Sequence, residues 1–128
     1  LIKFMAYLMG GFKMKTDVDF SMFYDTFQNS SYKNHFSYDG LKALYAYLVD
    51  YEEETGTEIE LDIVALCCDY TEYDDLFEVI EAYSLQLDLS DLDLNDLEPE
   101  DLENIKNQLE DLTTIIEVEN DKIIIRNF

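Results

Sequence analysis

Apolar and polar positions alternate along this chain with two different periods, and the period decides the element. The clearest segment runs from Ser37 to Gly56. Leu41, Leu44, Tyr45, Leu48 and then Tyr51 or Glu52 recur at i, i+3, i+4 and i+7, the spacing of one buried helix face. Ser37 suits the N-cap, Asp39 falls in the first turn where the helix dipole favours an anion, and Gly56 suits a left-handed terminator. Glu52, Glu53 and Glu54 occupy the last turn, where the dipole disfavours them, so their charge is expected to serve some other purpose. Residues 59–70 begin with alternation and pass into a continuous apolar run, which predicts a strand entering the interior and central in a sheet. Over 74–84, Leu76, Phe77, Ile80 and Tyr83 or Ser84 share a helical face, with Asp74 and Asp75 at its positive end.

Pro99 opens a further helix through 112, with Leu102, Ile105, Leu109 and Leu112 as its stripe. Residues 113–119 and 122–128 then read as a β-hairpin around a two-residue Asn120-Asp121 loop. Two stretches lack a clean period. Residues 20–36 mix aromatics with Asn and Ser and read as a strand or irregular lead-in. Residues 85–97 alternate Leu with Asp and fit helix and strand only in part. The sum is an α+β domain: three or four antiparallel strands, about three helices covering one face, and a C-terminal β-hairpin.

With 128 residues, 48% of them apolar and 14% aromatic, the chain is long enough for one core and too rich in core formers for a disordered acidic tail. The expected organisation is a single domain over 20–128 behind an N-terminal extension or arm over 1–19. The start, one lysine followed by an apolar run, has the outline of a signal core but lacks a small-residue cleavage pattern. Met14 offers an alternative start. No apolar run reaches the roughly 20 residues of a membrane span. Cys67 and Cys68 are adjacent, so on a strand they would face opposite ways and be poorly placed to bond each other, which suits a reducing cytoplasm.

Charge changes the picture most. From Ser37 to Phe128 there are 27 acidic side chains against four basic ones, and residues 1–36 hold three acids against four lysines; −23 and +1 give the net −22. A surface this acidic repels itself and destabilises the compact state. Solubility alone is served by net charges of about 2 to 8 in a small domain, so two readings stand side by side: a negative skin that prevents association, and an array of carboxylates that imitates nucleic acid. Duplex DNA carries one charge per about 1.7 Å of axis, and cationic grooves bind it by releasing counterions. Rows of carboxylates on a rigid body present a comparable array to the same groove. The densest acidic positions are Glu52, Glu53, Glu54 and Glu58, then Asp74, Asp75, Asp91, Asp93 and Asp96.

Motif chemistry points away from an enzyme. His35 has no serine, cysteine or acid at motif spacing, Cys67-Cys68 is not a C-x-x-C pair, and Gly10-Gly11, Gly40 and Gly56 form no phosphate loop. Asp91, Asp93 and Asn95 match the first ligands of a calcium loop. Asp96 then stands where glycine is required, and Leu102 where the bidentate glutamate belongs. No metal and no cofactor are expected.

Residues 36–73, from FSYDGLKALYAYL through EEETG to EIELDIVALCCDYTEY, resemble a family of small acidic proteins of bacteriophages and prophages. The ending, TIIEV followed by IIIRNF, is similar as well. Segments 1–20 and 85–112 depart from that pattern. The resemblance implies a phage origin, and small acidic phage proteins include anti-restriction and anti-CRISPR inhibitors. The expected function is therefore a non-enzymatic inhibitor acting in the host cytoplasm. It would block the basic DNA groove of a CRISPR effector such as Cas9 or, second, of a restriction enzyme, without itself binding nucleic acid or membrane. The competing expectation is an interaction module without mimicry, centred on Tyr24, Phe27, Tyr32 and Phe36.

Overall fold

The computed structural model describes residues 18–128. The N-terminal extension expected over 1–19 lies outside these residues except for Val18 and Asp19, which belong to the fold. Val18 is buried, and its carbonyl accepts the Tyr45 hydroxyl at 2.7 Å. The elements are α1 (Phe20–Gln28), α2 (Tyr38–Thr55), α3 (Ile63–Asp69), β1 (Tyr70–Tyr73), α4 (Leu76–Ala82), α5 (Pro99–Leu112), β2 (Ile115–Glu117) and β3 (Ile123–Arg126). None of these helices is long and apolar enough to cross a membrane.

The sheet is antiparallel with order β1-β3-β2, so the last strand is the central one. Ile124 faces one side with Ile116 and Tyr70, packed under α1, α2 and α3. Ile123 and Ile125 face the other side, packed with α4, α5 and the leucines of the intervening loop. Helices thus cover both faces, where the sequence predicted one. The reason lies in the run Ile123-Ile124-Ile125: all three are buried, and successive strand residues point to opposite faces, so each face needs its own cover.

Three local readings change. The lead-in over 20–36 begins with α1, because Phe20, Phe23, Tyr24 and Phe27 follow the helical period, and Phe23 and Phe27 are its buried face. The strand expected over 59–70 is α3 followed by β1, an edge strand. Asp62 Oδ1 accepts the Ala65 amide at 3.1 Å and starts the helix, and Leu66 and Cys67 form its buried side. A short apolar run does not by periodicity distinguish a buried strand from a short helix. Consequently Cys67 is buried and Cys68 exposed on neighbouring helical positions, both as free thiols. In α4 the buried set is Leu76, Val79 and Ile80, while Phe77 is 49% exposed. Residues 85–97 form turns, with Leu87 buried and Leu89, Leu92 and Leu97 packed inward.

α2 and α5 keep the expected bounds, and Gly56 terminates α2 at φ 68° with its amide on the Glu52 carbonyl. In the hairpin the Val118 amide donates to the Lys122 carbonyl at 2.9 Å, so residues 119–121 lie between the last joined positions, one more than expected. Asn120 and Asp121 both sit at φ 64°. A left-handed conformation strains any residue with a Cβ, though Asn and Asp least. Replacing Asp121 with glycine is therefore expected to raise stability by about 0.5–1 kcal/mol. Urea unfolding reads this directly, and a destabilised variant would mean that the Asp121 side chain supports the turn.

Candidate partner-binding surface

Many of the acids build the fold before they do anything else. Asp19, Asp62 and Asp75 cap α1, α3 and α4 by accepting the amides of Met22, Ala65 and Glu78. Asp101 reaches back at the start of α5, accepting the Glu98 amide at 2.9 Å. Short carboxylates accept free first-turn amides and also favour the positive end of the dipole. Two further carboxylates are interior. Glu72, whose side chain is 9% exposed, accepts the Ser37 amide at 2.9 Å and the Ser37 hydroxyl at 2.7 Å, with Lys122 Nζ 4.0 Å away. Glu52 is 5% exposed. Its Oε2 accepts the Ile59 amide at 2.6 Å, while its Oε1 is buried without a hydrogen-bond partner.

This sorting corrects the sequence-derived set. Glu52 is an internal tie between α2 and the 57–62 segment, not part of the acidic skin. Asp75 is half-buried and engaged as a cap. Asp74 is exposed beside a recess lined by Lys33, His35, Glu72 and Lys122, so cations accompany it. Glu53, Glu54 and Glu58 remain together on the surface at the end of α2. Asp91, Asp93 and Asp96 are exposed in the loop whose leucines pack on the opposite face of the sheet. Six of the nine positions thus remain as acidic surface, in two separate regions rather than one. Hydrogen bonds from the Ser90 side chain and amide also hold Asp88, beside the second region, below the usual carboxylate range.

Beside the C-terminal half of α2 lies a groove that sequence reading missed. About 230 Å³ in volume, it is lined by Tyr47 and Tyr51 of α2, by Glu60, Asp62 and Asp69, and by Tyr70 with Arg126. The i, i+4 pair Tyr47 and Tyr51 was a legible signal for a shared helical face. Asp62 and Asp69 had no place because their segment read as a strand. Tyr47 lies 6.2 Å from Tyr51 and 6.4 Å from Tyr70 between ring centroids. Burial first, then the neighbouring Tyr47, raises the Tyr70 pKa, with Arg126 acting in the opposite direction, so the ring is neutral at physiological pH.

Cations are largely matched where they stand. Lys106 pairs with Glu117 at 3.2 Å, Lys122 faces Glu72, and Lys42 lies 5.7 Å from the Tyr38 ring centroid. The aromatic alternative loses two of its four residues to the interior: Phe27 and Phe36 are buried, while Tyr32 is 39% exposed. His35 Nε2 donates to the Tyr70 carbonyl at 3.0 Å and covers the outer edge of β1. On the opposite face, burial and a hydrogen bond with Tyr83 push the Tyr73 phenol up to about 12. Among the described residues, no group of three or more His, Cys, Asp or Glu is gathered closely enough to hold a metal ion. No protein-family model matches this chain, and neither a curated protein nor a solved structure matches it.

Proposed function

We propose that this chain is a phage-encoded inhibitor that covers the cationic nucleic-acid groove of a host defence enzyme, with a CRISPR effector such as Cas9 as the leading target class. The observation that carries the reading is the imbalance left after internal pairing. Lys106, Lys122 and Lys42 already have neighbours in their own chain, whereas acids stand exposed on both sides of the sheet, within a net charge of −22. A cationic groove that neutralises such a surface releases the cations gathered on it, as it does when it neutralises the phosphates of DNA. Phage origin rests on the resemblance over 36–73 and the C-terminal ending.

The test is target-DNA binding by guide-loaded Cas9, with and without this protein, at low and high salt. Loss of DNA binding that fades as salt rises is the expected result. Two charge-reversed variants separate the acidic regions: Glu53→Lys with Glu54→Lys, and Asp91→Lys with Asp93→Lys. At least one pair is expected to weaken inhibition tenfold or more while the thermal melt stays cooperative. Unimpaired DNA binding at both salt concentrations would remove Cas9 blockade, and the same assay with restriction enzymes would follow.

A further inference from the structure

The groove beside α2 has a composition that selects among cations. Its volume, about 230 Å³, is below the roughly 300–1,000 Å³ of pockets that enclose a free drug-sized ligand, so it suits one side chain of a partner better than a separate molecule. Three tyrosines and three carboxylates line it, with Arg126 as its cation. Asp69 lies in the last turn of α3, and Glu53 and Glu54 lie in the last turn of α2, where each helix dipole disfavours an anion. Asp69, which lines the groove, works against its own helix and gains from a cation placed beside it. Arg126 lines the same groove as Tyr70, so the groove already accommodates a guanidinium of its own chain. Planar guanidinium stacks on an aromatic face and also bonds a carboxylate in a fork, whereas an ammonium is a point charge.

We infer that this groove receives an arginine side chain of the protein partner, its guanidinium against the Tyr51 ring and its N–H groups on Glu60 and Asp69. Glu52 supports the wall, since its carboxylate ties the Ile59 amide to α2. The inference rests on the proposal that the partner presents a cationic surface, and it adds which cation is read and where.

The test uses hexa-arginine and hexa-lysine peptides with the whole protein and needs no nuclease. Binding is read by fluorescence anisotropy at moderate salt. The variants are Tyr51→Ala, and Glu60→Gln combined with Asp69→Asn, leaving Asp62 because it caps α3. Glu110→Gln with Asp111→Asn on α5 removes the same charge elsewhere. Wild-type protein is expected to prefer arginine to lysine about fivefold, and Tyr51→Ala to abolish that preference. Glu60→Gln/Asp69→Asn is expected to weaken hexa-arginine at least fivefold, against less than twofold for the α5 pair. Equal weakening by both charge-removing pairs, or an arginine preference untouched by Tyr51→Ala, would overturn the groove and leave only a diffuse field. Should the nuclease assay fail while the peptide result holds, the groove stands and the target class falls.

Discussion

Ile124→Ala is expected to destabilise the protein by about 3–4 kcal/mol, against about 1 kcal/mol for Ile124→Val. Ile124 is fully buried on the central strand and packs into the same cluster as Phe23, Phe27, Leu41 and Leu44. Truncation removes its transfer energy and leaves a cavity that cannot collapse readily, because β3 is held on both edges by β1 and β2. The loss corresponds to a fall in Tm of roughly 10–15 °C for a domain of this size. Urea unfolding with an unchanged slope would assign the whole effect to stability. Ile115→Ala, on the edge strand and only partly buried, is expected to lose less than half as much. A loss below about 1 kcal/mol at Ile124 would contradict a sheet centred on β3.

The same strand shows what a sequence does and does not disclose. Alternation and turn residues located the hairpin, because those signals are local. That β3 lies between β1 and β2, with helices on both faces, depends on Tyr70–Tyr73 finding it from 50 to 56 residues away, which no local period encodes. α2 was legible to the residue because cap, stripe and terminator agreed, whereas α5 kept its bounds but not its whole stripe, since Leu112 is 48% exposed. α3 was not: seven residues span barely two helical turns, too few for one period to outweigh the other. The acidic set was only partly legible for a different reason. Asp and Glu look alike in sequence whether they cap a helix, tie a loop or face water. Glu52 falls at the stripe position shared between Tyr51 and Glu52 as well as in the acidic run, and alone of the three glutamates it turns inward on the leucine face of α2.

Glu72 is the interior acid with the largest expected effect, and Glu72→Ala should cost about 3 kcal/mol. Its carboxylate takes both the amide and the hydroxyl of Ser37, and that hydroxyl also accepts the Gly40 amide at 3.0 Å. Hydrogen bonds to a charged group contribute roughly 1.5–3 kcal/mol, and removing the carboxylate strands the Ser37 amide at a half-buried position. Gly40 is the other half of the arrangement. A Cβ there would overlap Glu72 Oε1 and stand 2.8 Å from its Cδ, so the glycine makes room for the carboxylate. In the wild-type background Gly40→Ala should therefore cost about 2 kcal/mol, because Glu72 must leave Ser37. With Glu72 already alanine the obstruction is gone, and alanine's helix propensity, up to about 1 kcal/mol better than glycine, should make the same change neutral or stabilising. The sign of Gly40→Ala is thus expected to depend on residue 72, a coupling of about 2–3 kcal/mol in a double-mutant cycle. Additive losses would mean that Gly40 is required for some reason other than the carboxylate. Ser37→Ala gives an internal check: it removes the cap and one bond to Glu72 together, and should fall between the two single losses.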